Sequence, residues 1–174
     1  MTESATVVTL KTVDVVLGLP WMVCLDELLI RCPQKLTEYG PNYIIEGGAA
    51  ISLLNPNKRL APNDVDLLIF DEEDNRAIKS QKFNLCDIHD PKRWFCDRNI
   101  PFTDNGLRYL QRSFLQVPLT ESGFNVFVLN PPILYASKIF HFRELRPKDL
   151  FDLMILNVGK GDIDTALNGL RGEL

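Results

Sequence analysis

An Asp-Val-Asp triplet opens a continuous apolar run in this chain and limits the folds open to it. Asp64-Val65-Asp66 is followed directly by Leu67-Leu68-Ile69-Phe70. An apolar run such as Val65–Phe70 is typical of a strand covered on both faces, as in layered α/β structures. Successive strand side chains point to opposite faces, so Asp64 and Asp66 share one face. Two carboxylates at this spacing offer the oxygen ligands that Mg²⁺ prefers.

A glycine pair precedes the triplet in a matching local context. Tyr43-Ile44-Ile45 is predicted as a short buried strand, Gly47-Gly48 as a turn, and Ala49–Leu54 as a small helix. Glycines before a helix allow a ligand close to the backbone, where the first N–H groups bind phosphate. This order of elements indicates metal-assisted chemistry on a nucleotide. A glycine turn followed by a strand whose acidic end merely faces solvent is the structural alternative.

Length and composition favour one domain. The 174 residues, of which 45% are hydrophobic and 24% charged, are ordinary for a globular protein with a buried core. We expect a single domain over residues 1–174, with a core at about 20–130 and a helical C-terminal part at about 131–174. The formal net charge of −4 argues against a generic polyanion binder. Contact with nucleic acid would therefore need a local basic patch.

The cysteines and histidines argue against a zinc site. The four cysteines show no C-x-x-C spacing, and the chain has two histidines. His89 and His141 have no nucleophile partner in a recognisable pattern, which favours ordinary surface or helix-end roles. With no signal-peptide pattern and no long apolar span, we expect a cytoplasmic protein without membrane contact.

The remaining patterns predict a sheet followed by helices. Helices are expected over residues 20–32, 133–142 and 148–157, a last helix is expected to be capped by Asp162, and Phe124–Leu129 is expected to be a strand. Residues 5–17 fit a strand or a helix, and the patterns over 83–119 place no element. The predicted fold class is α+β, with a small mixed β-sheet flanked by helices and a helical C-terminal segment.

A second group of charged residues lies near the end of the chain: Lys138, Arg143, Lys148, Asp149 and Asp152. Asp149 and Asp152 are three residues apart, so they share one face of the helix at 148–157. An acid in the first helical turn interacts favourably with the helix dipole, which is one role for Asp149. A buried Asp152 would need a partner such as Lys138 or Arg143. The apolar side of the same helix is expected to contain Leu150, Leu153, Met154 and Leu156.

Taken together, the motifs resemble those of the nucleotidyltransferase superfamily related to DNA polymerase beta. More closely, they are similar to the AbiEii-type branch, the toxin components of abortive-infection toxin–antitoxin pairs. The residues that carry this resemblance are Gly47-Gly48, Asp64-Val65-Asp66, Lys138, Arg143 and Lys148-Asp149-Leu150-Phe151-Asp152-Leu153. They cover about residues 43–70 and 124–157. The resemblance implies a nucleotidyltransferase fold, an NTP as substrate and Mg²⁺ as cofactor.

The resemblance also implies roles for single residues. Gly47, Gly48 and Arg143 would bind the nucleotide, and Lys138 would both bind it and neutralise phosphate charge. Asp64 and Asp66 would be catalytic metal ligands. Asp149 or Asp152 would act as the catalytic base or would orient Lys138.

A third carboxylate normally completes the metal site in this superfamily. The strand at 124–129 contains Asn125 and no acid. Asp87, in the pattern Leu85-Cys86-Asp87-Ile88, is the candidate, and Asp97 is the reserve.

The resulting functional prediction is an enzyme that moves a nucleotide monophosphate from an NTP to an acceptor hydroxyl. By analogy the acceptor is an RNA or tRNA end, and the partner is an antitoxin protein. One alternative is a degenerate, non-catalytic nucleotidyltransferase-fold module that binds a nucleotide or a partner protein. Another is an antitoxin or interaction protein, which rests on small size alone. Lys92-Arg93-Trp94-Phe95 would either stack on a nucleotide or form a surface loop with a packed tryptophan.

Overall fold

The computed structural model describes residues 20–59, 61–119, 123–141 and 143–174. The segment 5–17, which fits a strand or a helix by sequence, lies outside the described residues. The described chain is an α+β structure with a small mixed sheet and eight helices. No helix in this part of the chain combines the length and the apolar character that crossing a bilayer requires.

A mixed five-stranded sheet forms the centre of the structure. In chain order the strands are β1 (Leu36–Thr37), β2 (Gly40–Pro41), β3 (Tyr43–Glu46), β4 (Val65–Ile69), β5 (Cys86–His89), β6 (Phe114–Pro118) and β7 (Asn125–Leu129). The large sheet has the order β5-β4-β3-β7-β6, and β1 pairs with β2 apart from it. β4 runs parallel to β5 and β7 parallel to β3, whereas the β3–β4 and β6–β7 pairs are antiparallel. The three predicted strands are confirmed to within one residue at each end.

Helices surround this sheet. They are α1 (Pro20–Arg31), α2 (Gly47–Leu54), α3 (Glu72–Ser80), α4 (Pro91–Cys96), α5 (Asp104–Arg112), α6 (Pro131–Ile139), α7 (Pro147–Leu156) and α8 (Lys160–Arg171). Proline is the first residue of α1, α4, α6 and α7. It is tolerated there because the backbone N–H groups of the first helical turn make no hydrogen bond within the helix. The predicted cap of the last helix is wrong. Gly159 is the N-cap of α8, and Asp162 lies in its first turn.

The helix α7 does not bury the side that its hydropathy predicts. Leu150 is 52% exposed and Met154 is 77% exposed, so placing both on an inward apolar side is wrong. Asp149 and Asp152 are buried instead, together with Leu156. Both acids are paired with cations, among them Lys138, and this pairing offsets the cost of burying their charge on the inward face.

Strand register places three acids in one row across the sheet. Glu46 is the pairing partner of Asp66 between β3 and β4, and Asp66 is the partner of Asp87 between β4 and β5. Directly paired residues point to the same face of a sheet. Asp64 precedes Asp66 by two residues and belongs to that face as well. Since α2 begins immediately after Glu46, the start of this helix lies next to this row of acids.

Candidate functional site

A cleft of about 750 Å³ opens where β3, β4 and α2 meet. The acids that line it are Glu46, Asp64, Asp66 and Asp152. Seven basic side chains line it as well: Lys58, Arg59, Arg98, Lys138, Arg143, Arg146 and Lys148. A cleft lined by charges of both signs is suited to a cation together with its anionic ligand.

Asp64, Asp66 and Asp87 form what we call the acidic cluster. Each offers one carboxylate oxygen, and these oxygens all lie within 4.8 Å of one another. Burial, followed by the negative charges of Asp66 and Asp87, raises the pKa of Asp64. Three crowded carboxylates repel one another, and a hard divalent cation would relieve that repulsion. The donor set therefore fits Mg²⁺, and the structure brings Asp87, the candidate third acid, together with Asp64 and Asp66.

The glycine pair lies against one acid and one cation of this cleft. Gly47 has φ of +62°, and a Cβ atom at this position would lie 2.1 Å from Asp66 Oδ2. A Cβ atom on Gly48 would lie 2.8 Å from one terminal nitrogen of Arg59. Glu46 is the N-cap of α2, and its side chain makes no cap hydrogen bond to this helix. The first N–H groups of α2 belong to residues that line the cleft, at the positive end of the helix dipole.

Two buried carboxylates of α7 fix the positions of four basic side chains in the cleft. Asp149 contacts Lys138 at 3.0 Å, Arg143 at 2.7 Å and Arg146 at 3.0 Å. Asp152 contacts Arg59 at 2.5 Å and Lys138 at 3.0 Å. The four cations held in this way, named the basic cluster below, are Arg59, Lys138, Arg143 and Arg146. Removing either carboxylate would leave buried positive charge uncompensated.

Asp149 also begins the helix that carries it. Its side chain accepts a hydrogen bond from the backbone N–H of Arg146, the N-cap of α7, at 2.9 Å, as the acid at this position does in a capping box. Burial alone would raise the pKa of Asp149, but hydrogen bonds from Arg143, Arg146 and Lys138 outweigh it and hold that pKa well below its usual range. A carboxylate so fully occupied cannot serve as a base. Of the two roles implied by the resemblance, the geometry favours orientation of Lys138.

The floor of the cleft is a buried hydrogen-bonded network. Trp94 Nε1 donates to Glu46 Oε2 at 2.7 Å, and Arg98 lies 3.7 Å from the same oxygen. Arg98 donates to Ser137 Oγ at 2.9 Å and stacks over the Trp94 ring at 4.0 Å. Burial lowers the pKa of Arg98 against the opposing charge of Glu46. This network fixes the end of β3, and hence the start of α2, against α4 and α6.

His89 connects the acidic cluster to that floor. Its Nε2 lies 3.5 Å from Asp66 Oδ1, and its Nδ1 lies 3.6 Å from Glu46 Oε1. The hydrogen bond to Asp66 raises the pKa of His89, although burial opposes this shift. The expectation of an ordinary surface role for His89 is therefore wrong. His141 also lines the cleft, where burial and the charges of Arg98 and Arg143 lower its pKa.

The other predicted residues fall into two groups. Lys138 lies in the last turn of α6, whereas Arg143 lies beyond the end of that helix, in the connection to α7. Lys148 lines the cleft. Asp97, the reserve third acid, is not in the acidic cluster and pairs with Arg93 at 3.7 Å. Trp94 is buried in α4 and donates to Glu46, so the stacking role considered for it is wrong.

Sequence reasoning missed Arg59, Glu46 and Arg98. Arg59 lies in a polar loop with no periodicity, so no pattern assigns its direction. Glu46 directly precedes the glycine pair at the end of an apolar strand, and that position could have indicated it. Arg98 follows a short helix within the segment 83–119, for which the sequence predicts no element.

Comparison with known proteins assigns no function to this site. No protein-family model, curated protein or solved structure matches the chain. The resemblance to nucleotidyltransferases therefore rests on the sequence motifs alone.

Proposed function

We propose that this protein is a Mg²⁺-dependent nucleotidyltransferase with the fold of that superfamily. The observation that carries the proposal is that one cleft contains Asp64 and Asp66 of the acidic cluster, all four cations of the basic cluster and the start of α2. At that helix start Gly47 lies against Asp66 and Gly48 lies against Arg59. An NTP with its metal ion has the matching distribution of charge. Its metal-bound phosphates would face the acids, and its remaining negative charge would face the cations.

The acidic cluster would hold the metal, which when bound stabilises charge on the phosphates. The acceptor hydroxyl oxygen bonds to the α-phosphorus, and the bond from that phosphorus to its bridging oxygen breaks. Pyrophosphate leaves with the bonding electron pair. The hydroxyl proton passes to Asp87, the exposed member of the cluster. Lys138 and Arg143, fixed by Asp149, neutralise charge on the leaving group.

The N–H groups at the start of α2 would bind phosphate oxygens. Gly47 and Gly48 support this role because both keep bulky side chains away from the helix start. The acceptor class, an RNA or tRNA end, and the antitoxin partner follow from the resemblance alone and remain predictions.

Transfer of label from α-labelled NTPs tests the proposal. Wild-type protein is incubated with each of the four NTPs, total RNA and Mg²⁺, and acid-insoluble label is counted. Asp64→Asn and Asp66→Asn should each reduce transfer by about 100-fold or more, because each removes a charged metal ligand. Asp97→Asn removes an acid that lies outside the cluster and should transfer label as the wild type does.

Equal transfer by wild type and both cluster variants would refute the metal-carboxylate assignment. A wild-type protein that binds NTP in calorimetry with no effect of Mg²⁺ and no turnover would support the non-catalytic alternative instead.

A further inference from the structure

Arg59 lines the cleft from the loop between α2 and β4. Its side chain is only 10% exposed. Arg59 Nε lies 2.5 Å from Asp152 Oδ1, and one terminal nitrogen lies 3.2 Å from Asp152 Oδ2. The other terminal nitrogen lies 3.4 Å from Ser52 Oγ on α2. A two-point contact with a buried carboxylate fixes both the position and the plane of the guanidinium.

The guanidinium occupies the space that a side chain on Gly48 would take. Both terminal nitrogens lie within 3.1 Å of the place of a Gly48 Cβ atom. At Gly47 the same space is taken by Asp66. The two glycines thus bring a carboxylate of the acidic cluster and a guanidinium of the basic cluster against consecutive residues of one helix start.

The basic cluster carries more positive charge than its two carboxylates compensate. It contains four cations and is held by the two buried acids of α7. The two largely buried cations, Arg59 and Lys138, match these acids in charge, whereas Arg143 and Arg146 are 31% and 48% exposed and carry the excess. A polyanion that contacts Arg59 in the cleft would also lie near this excess positive charge.

We propose that Arg59 binds the terminal phosphates of a nucleoside triphosphate, in a subsite that does not depend on the metal ligands. The proposal rests on the proposed function and deepens it. Asp66 lies against Gly47 and Arg59 against Gly48, so a phosphate chain that starts at the acidic cluster continues over the helix start to Arg59. The fixed guanidinium offers planar two-point contacts to phosphate oxygens that a lysine cannot offer.

Binding of sodium tripolyphosphate in the presence of EDTA tests this subsite by isothermal titration calorimetry. Arg59→Gln removes the charge but keeps a hydrogen-bond donor for Asp152, and it should raise the Kd by at least about tenfold. Arg93→Gln, which removes an 82% exposed arginine outside the cleft, is the matched control and should leave the Kd unchanged. Asp66→Asn should bind tripolyphosphate at least as tightly as wild type, because it removes a negative charge. Adenosine, which carries no phosphate, should show no dependence on Arg59.

Equal affinity of wild type and Arg59→Gln for tripolyphosphate would overturn the proposal, as would a wild-type protein that does not bind it. Circular dichroism and thermal melting establish that each variant is folded. If Arg59→Gln does not fold, Arg59→Lys provides the test, since it keeps the charge and removes the planar two-point contact. A folded Arg59→Lys protein with wild-type affinity would also contradict the assignment.

The two proposals fail in different ways. Arg59-dependent binding of tripolyphosphate without any transfer of label would refute the proposed enzyme activity and support the subsite. If Asp66→Asn transfers label as well as the wild type and tripolyphosphate binding still depends on Arg59, only the metal assignment is refuted. If the wild type transfers label but Arg59→Gln binds tripolyphosphate with wild-type affinity, the activity is supported and the subsite is overturned.

Discussion

Gly47 meets two independent requirements at one position. Its φ of +62° lies in the left-handed region, which residues with a Cβ atom adopt at a cost. The missing side chain also makes room for Asp66, whose carboxylate would otherwise collide with it. The first requirement concerns the backbone alone, whereas the second couples the helix start to the acidic cluster.

Substitution of Gly47 by alanine should separate these two contributions. We expect Gly47→Ala to lower the free energy of unfolding by about 1–3 kcal/mol, from backbone strain and the contact with Asp66. In an Asp66→Ala background the same change should cost only the backbone part, about 1 kcal/mol. Urea unfolding of the four proteins measures both values.

Gly161→Ala is the matched control for this pair. Gly161 lies within α8 with no atom near the place of its Cβ, so alanine should be neutral or stabilise by up to about 1 kcal/mol. Equal costs of Gly47→Ala with and without Asp66 would contradict the proposed contact.

The helix α7 shows why hydropathy alone misassigned an inward face. Its apolar residues Leu150 and Met154 are exposed, and its two acids are buried, because four cations converge on those acids. Arg146 is the N-cap of α7, and Arg143 lies shortly before it. Arg59, by contrast, lies 93 residues before Asp152, so no local pattern predicts their contact. The cost of burying an unpaired acid nevertheless predicts a partner for Asp152 in Lys138 or Arg143, and Asp152 pairs with Lys138 at 3.0 Å.

The pH dependence of stability should report the state of Asp149. Its pKa is lower in the folded protein than the ordinary value of 3.8, so the unfolded chain takes up this proton at a higher pH. The stabilisation is complete above the unfolded pKa and is lost as the pH falls towards the folded pKa. Asp149→Asn should cost about 3–5 kcal/mol at about pH 6. This difference from wild type should shrink below about pH 4.

Urea unfolding at several pH values measures that difference. Asp104→Asn removes an exposed acid from the first turn of α5 and is the matched control, with an expected cost of less than about 1 kcal/mol at every pH. A cost of Asp149→Asn that stays constant down to about pH 3 would contradict the assigned ionisation.

The segment 83–119 marks the limit of prediction from this sequence. β5 is a short strand with no fully buried residue, and α4 has only six residues, so neither gives a sustained hydrophobic period. By contrast, β3, β4 and β7 are almost completely buried, and their apolar runs predict them correctly. The apolar–acid–apolar pattern at Asp87 identified the third member of the acidic cluster even where no strand was assigned.

Magnesium should stabilise the whole molecule by binding only its folded state. At about 100 times the Kd, such binding contributes about 2.7 kcal/mol, which for a chain of this length raises Tm by roughly 5–10 °C. Asp87→Asn should lose most of this shift, because it removes one of three clustered carboxylates. Thermal melting followed by circular dichroism, in EDTA and in Mg²⁺, measures it.

Without metal, Asp87→Asn should be at least as stable as the wild type. In EDTA, Asp87→Asn should melt at or above the wild-type temperature, because the charge of Asp87 contributes to the repulsion that raises the pKa of Asp64. Asp97→Asn should show the same Mg²⁺ shift as wild type, since Asp97 lies outside the cluster. A wild-type Tm that Mg²⁺ does not change would refute metal binding at this site.

The acid row across β3, β4 and β5 also determines which length changes the chain can tolerate. Glu46, Asp66 and Asp87 share one face of the sheet because each pair is in register. Insertion of one residue within β4 would reverse the direction of every later side chain, moving Asp66 into the core and Leu67 into the cleft. Insertions between α2 and β4 leave this parity unchanged. Variation in length among related sequences should therefore be found in the loop that contains Arg59, and not in the strands on either side of it.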